Sequence, residues 1–176
     1  TNNNATSSPI YTGGATYTTT SGNVTLYAVY SETIGTPEQW TKVTNINDIV
    51  AGTYVIVNGG YFLPNTGTGS TGTPEQITLT SKSVTASGNA LTGVIDGDMQ
   101  WDFSGTNLAM AIVSTANSVN KLYTISDNNG IRVHTTSANW AFEVYSTGFA
   151  MKSSNDRFCA VYTSGNNWRS YTARNH

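Results

Sequence analysis

Charge is scarce in this sequence. Of its 176 residues only 8 are Lys or Arg and 10 are Asp or Glu, a charged fraction of 10% against roughly 25% in ordinary soluble proteins. Hydroxyls and amides must keep the chain in water, and Thr, Ser, Asn and Gly fill the polar positions. A net charge of −2 creates no field that would draw a phosphate backbone, which excludes nucleic acid as a partner. The lone cysteine, Cys159, rules out an intrachain disulfide framework. It is expected as a small buried hydrophobe in the strand from Arg157 to Tyr162. His134 and His176 are the only histidines, a thin inventory for general-base catalysis, and no serine stands in a nucleophile-elbow sequence. His134 is read as solvent-facing. No apolar run approaches the roughly 18 residues of a membrane-spanning helix, so no membrane insertion is expected. With no initiator Met and no signal-like run, the chain reads as a soluble, processed or excised piece of something longer.

What the chain does contain is short apolar runs. Hydrophobic residues make up 38% and aromatics 11%, too much for a disordered polypeptide. The runs alternate with period two, as in Trp140-Ala141-Phe142-Glu143-Val144-Tyr145, and are separated by turn chemistry such as Asn58-Gly59-Gly60, Ser87-Gly88-Asn89 and Asp127-Asn128-Asn129-Gly130. About a dozen short strands follow, including one over residues 53–57. Residues 64–75 read as a long, exposed, flexible loop. No segment keeps a helical period beyond one or two turns. Asn45 or Asn47 can cap one such turn and Gly52 can end it.

The fold class is therefore all-β. Trp101, Trp140 and Trp168 recur at intervals of 39 and 28 residues, each beside another aromatic. That spacing favours a three-part, β-trefoil-like barrel, with a β-sandwich as the alternative. The organisation expected is a flexible tail over residues 1–8, a small partial module over 9–31, a linker over 32–39 and the main domain over 40–176.

Two resemblances add to this. Gly13-Gly14-Ala15-Thr16-Tyr17, followed by Asn23-Val24-Thr25-Leu26-Tyr27-Ala28-Val29-Tyr30, resembles the closing half of a Listeria–Bacteroides repeat, the internalin B-repeat family of β-grasp-like modules. Tyr30 stands where that family usually has Trp, and the family's opening strand is missing. The frame Trp40-Thr41-Lys42-Val43, Ala51-Gly52-Thr53-Tyr54-Val55-Ile56-Val57, Trp140-Ala141-Phe142, Arg157-Phe158, Val161-Tyr162 and Trp168-Arg169-Ser170-Tyr171-Thr172 resembles a β-rich module common at the C-terminal end of secreted gut-bacterial proteins. That module usually ends in one further strand. Together the resemblances imply an extracellular or cell-surface location, an accessory role without assigned catalysis, and an open sheet edge where the last strand is missing.

Aromatics and amides are the remaining candidates for function. Tyr162, Asn166, Asn167, Trp168, Arg169, Tyr171 and Arg174 gather around the loop over residues 163–167, where flat rings could stack on sugars and amides could direct hydrogen bonds. The competing reading has Trp168 and Tyr171 inside the body with Arg169 packed over them. Asp96-Gly97-Asp98, with Asp102 nearby, offers oxygens for calcium but lacks the order of a calcium loop and reads as turn chemistry. No cofactor and no metal is expected. The function expected is an extracellular, non-enzymatic binding module, carbohydrate-binding or adhesive, with a glycan or protein partner. The alternatives are a structural subunit that self-associates through an open strand edge, as in a filament or adhesin stalk, and an accessory domain of a larger secreted enzyme.

Overall fold

The computed structural model describes residues 39–58, 60–66, 77–78, 85–92, 95–162, 164 and 167–174, all within one compact unit, Gly35–His176. The tail, the partial repeat module and nearly all of the linker expected over residues 1–39 lie outside the described residues, as does Asn166.

Fifteen strands follow in chain order: β1 (Gln39–Thr41), β2 (Gly52–Val55), β3 (Val57–Asn58), β4 (Tyr61–Phe62), β5 (Ile77–Thr78), β6 (Thr85–Ser87), β7 (Ala90–Thr92), β8 (Gln100–Thr106), β9 (Ala109–Ser114), β10 (Lys121–Thr124), β11 (Ile131–His134), β12 (Trp140–Tyr145), β13 (Gly148–Ser153), β14 (Phe158–Tyr162) and β15 (Asn167–Tyr171). Two single 3-10 turns, Ile46–Asp48 and Gly97–Met99, are the helical elements among the described residues. Asn45 caps the first by accepting from the Asn47 N–H at 3.0 Å, but Gly52 opens β2 instead of ending that turn.

The strand β9 is the branch point of the main sheet. Its N-terminal hairpin partner β8 covers one edge from Trp101↔Ser114 to Thr106↔Ala109, and β2 lies beyond β8. Its other edge meets β12 at Met110↔Trp140 and β10 at Val113↔Lys121. From β10 the sheet runs to β11, and from β12 through β13, β14 and β15 to β5. Among the described residues these ladders are open antiparallel sheets, not a closed barrel, so the closure expected of a barrel is not observed there. A bridge between Gly130 and Arg169 does bring the entry to β11 against β15.

Alternation dictates which side each strand buries. On β8 Trp101 and Phe103 are buried while Asp102 and Ser104 are exposed; on β9 Met110, Ile112 and Ser114 are buried; on β12 Trp140 and Phe142 are buried. Trp101, Phe103, Met110, Ile112, Trp140 and Phe142 join Leu122, Ile131, Val133, Met151 and Trp168 in one core cluster. The three expected indoles therefore share a single interior. Each is at most 1% exposed, and each spends its one donor on a carbonyl, as a buried indole must. Trp101 Nε1 donates to Leu63 O at 2.8 Å, Trp168 Nε1 to Phe62 O at 3.0 Å and Trp140 Nε1 to Leu122 O at 3.0 Å. Two indoles from distant strands thus hold successive carbonyls of one short segment.

That segment overturns two local expectations. The strand expected over 53–57 breaks at Ile56, whose carbonyl accepts from Leu63 N–H at 2.9 Å; β2 pairs with β8, whereas β3 turns into a hairpin with β4. The loop expected to be exposed from residue 64 begins inside the molecule, because Pro64 and Asn65 are buried. Asn65 Nδ2 donates to Gly97 O and Gln100 O, both at 2.6 Å, and so ties the Asp96-Gly97-Asp98 turn to the core. The edge expected to stand open at the end of the chain is occupied as well: β5 pairs with the start of β15, and Ser170 N–H donates to Asn129 O at 2.9 Å further along.

Candidate binding face

In the β14–β15 ladder Tyr162 faces Asn167, Val161 faces Trp168, Ala160 faces Arg169 and Phe158 faces Tyr171. Directly opposed residues point to the same side, so Phe158, Ala160, Tyr162, Asn167, Arg169 and Tyr171 share the outer face. Trp168 and Ser170 point inward. Trp168, expected among the ligand-contacting rings, is corrected to a core residue at 1% exposure; alternation along Asn167-Trp168-Arg169-Ser170-Tyr171 already separates it from its neighbours.

The outer residues form a connected array. The Arg169 guanidinium lies 4.0 Å from the centroid of the Tyr162 ring, and its Nε donates to Asn167 Oδ1 at 2.9 Å. Asn167 is buried beneath it. Burial raises the Tyr171 phenol above its ordinary value, and the neighbouring Arg169 cation opposes that rise. The phenol therefore stays protonated at neutral pH and keeps its donor. Tyr162 is 36% exposed, which leaves it the most accessible ring of the group.

Arg174 engages a different set. Its Nη1 donates to Glu143 Oε2 at 3.2 Å and its guanidinium sits 5.5 Å from the Tyr145 ring centroid. Of the residues singled out by sequence, the structure thus brings together Tyr162, Asn167, Arg169 and Tyr171, and sets Arg174 against β12. Sequence reasoning missed Lys152 and Phe158, which extend the same face: Lys152 Nζ lies 5.8 Å from the Phe158 centroid and 2.8 Å from Asp156 Oδ1. Only the β13–β14 register, Lys152↔Phe158, reveals them.

Comparison with protein-family models, with curated proteins and with solved structures matches nothing to this chain.

The other candidates of the sequence fall in different places. His134 is half-buried on the face of β11 turned away from the core, and its ring Nδ1 is 3.1 Å from Thr135 Oγ1. Gly97 O, in the Asp96-Gly97-Asp98 turn, also accepts from Thr115 Oγ1 at 2.7 Å. No group of three His, Cys, Asp or Glu side chains is placed to hold a metal among the described residues. Cys159 is half-buried against the core cluster, unpaired, and burial pushes its thiol up to about 12. It is therefore a protonated packing group at neutral pH, not a nucleophile.

A groove of about 600 Å³ runs between the β1–β7 pair and the main sheet, lined by Trp40, Tyr54, Ile56, Leu91, Phe103, Phe142, Phe149 and Met151 among others. Its lining is largely apolar. The buried Trp40 Nε1 has no hydrogen-bond partner among the described residues, and Lys42, also in the lining, donates its ammonium to Thr147 O at 2.6 Å.

Proposed function

We propose that this chain is a non-enzymatic binding module of a secreted or surface-attached bacterial protein, and that the outer face of β14–β15 contacts a carbohydrate. The observation that carries this reading is the Tyr162–Arg169–Tyr171 array, with the guanidinium 4.0 Å above one ring. A sugar needs a flat apolar face for its C–H surface and directed donors for its hydroxyls, and this array supplies both on a rigid ladder. Location follows from composition and the two resemblances. The three buried indoles, each donating to another segment's carbonyl, support a three-part, trefoil-like organisation of the scaffold.

Tyr162→Ala and Arg169→Ala should each weaken binding at least about fivefold, since each removes a stacking or charge-assisted contact of about 1–3 kcal/mol. The unfolding midpoint of Tyr162→Ala should change little, because that ring is exposed, whereas Arg169→Ala also removes a donor from the buried Asn167 Oδ1 and should lower it modestly. Glycan-array screening of the wild type, followed by titration of the variants against the best hit, checks this. Full retention of glycan affinity in both variants would sink the reading.

A second reading, a subunit that accepts a strand from a neighbouring copy, rests on β2. Among the described residues β2 pairs only with β8. Sedimentation showing concentration-dependent assembly, abolished by proline at Thr53, would favour it.

A further inference from the structure

The β10–β11 hairpin pairs Lys121 with His134 and Tyr123 with Arg132. All four side chains share the face turned away from the core, since Leu122, Ile131 and Val133 occupy the other. Such a face ordinarily meets water, yet Arg132 is 3% exposed and Tyr123 2%. Neither has the partners that burial demands. Arg132 Nε, Arg132 Nη2 and Tyr123 Oη are all buried without a hydrogen bond. A buried guanidinium left unpaired is costly, so these atoms call for a partner that the described residues do not supply.

Which atoms are orphaned decides the ligand. Nε and Nη2 form the side edge of the guanidinium, two parallel donors that match two oxygens of one carboxylate, sulfate or phosphate. The phenol directly across the ladder, with Cβ atoms roughly 5 Å apart, adds a third donor. Lys121 and His134 are half-buried and mark the side open to solvent. Among the described residues no carboxylate pairs with either cation. The acid in the same row, Asp102, lies across β9 from Lys121, roughly 10 Å away by strand spacing, and accepts from Thr53 Oγ1 at 2.8 Å.

We propose that this face binds a small oxyanion, held in the fork of Arg132, capped by the Tyr123 hydroxyl and drawn in by Lys121. The site uses none of the β14–β15 side chains, although Gly130, two residues before Arg132, bridges to Arg169, and its test reads anion binding whether or not that array binds sugar.

The test is thermal and calorimetric titration of the whole chain with acetate, sulfate and phosphate, against chloride at matched ionic strength. Wild type should show saturable stabilisation with a millimolar dissociation constant. Acetate alone active would identify a carboxylate, and sulfate or phosphate alone a tetrahedral oxyanion. Arg132→Met should abolish the increment while being no less stable than wild type in chloride, which also separates site binding from the general salting effect of sulfate. Tyr123→Phe, which removes one hydroxyl and tests the site even if the Met variant does not fold, should weaken affinity about fivefold to tenfold. The proposal is overturned if none of the three anions gives a saturable increment, or if Tyr123→Phe and any folded Arg132→Met keep the wild-type response.

Discussion

Trp101→Ala is expected to cost about 3–5 kcal/mol of folding free energy, which is a large share of the 5–15 kcal/mol that holds an ordinary domain together. The ring is 0% exposed, so truncation opens a cavity that neighbouring β8 and β9 side chains cannot collapse to fill. It also leaves Leu63 O, now its partner at 2.8 Å, unsatisfied in the interior. Trp101→Phe separates the two contributions: it retains much of the apolar volume and loses the donor, so it should cost about 1–3 kcal/mol from the carbonyl plus a smaller packing loss. Because Trp168 holds the adjacent Phe62 O, the pair Trp101→Phe and Trp168→Phe shares one segment and should be non-additive by at least about 0.5 kcal/mol. Urea denaturation reads all three. A loss under about 1 kcal/mol in Trp101→Ala would mean the ring is not packed as described.

Gly105→Ala should be nearly as damaging, for a different reason. Gly105 has φ +119, a conformation that L residues rarely adopt, and a Cβ there would lie 2.3 Å from Ala109 O. The clashing atom is backbone, so no rotamer change relieves it. The hairpin turn at Asn107-Leu108 would have to open, and with it the β8–β9 register that aligns Trp101 and Phe103 with Ser114 and Ile112. A loss of about 3 kcal/mol or more is expected. Gly148→Ala is the matched control: nothing lies within 4 Å of its added Cβ and its φ is not positive, so its midpoint should move by no more than about 0.5 kcal/mol. Equal effects at the two glycines in thermal or urea unfolding would contradict the account of the hairpin.

Much of this body is legible in the order of residues. Period-two alternation through Trp140-Ala141-Phe142 assigns inside and outside correctly, and the Ser87-Gly88-Asn89 and Asp127-to-Gly130 segments make the turns their chemistry predicts. Legibility ends where a partner far along the chain decides. The break at Ile56 is invisible locally, because Thr53 to Val57 is β-forming throughout; the chain leaves β8 there only because Leu63 N–H claims the Ile56 carbonyl. Pro64 and Asn65 read as loop residues by type, and long-range bonds to Gly97 and Gln100 draw Asn65 inside. Arg132 shows the same limit more sharply. A cation alternating with His134 on a strand looks solvent-facing, and only the three-dimensional packing buries it. For the candidate face, sequence proximity found Arg169, Tyr171 and Tyr162, while Phe158, on the same strand and face as Tyr162, and Lys152, opposite it in the neighbouring strand, emerge from the strand register.

Hydrogen exchange at the indole N–H groups reaches the central claim most directly. The chain has 4 tryptophans and should give as many indole cross-peaks in a ¹H–¹⁵N spectrum of the labelled protein. Those of Trp101, Trp140 and Trp168, each buried and bonded to a carbonyl, should exchange only as fast as the whole domain unfolds, together with the β8–β9 backbone amides. If any of the three exchanges within minutes while those amides remain protected, the single indole-pinned interior does not exist as described.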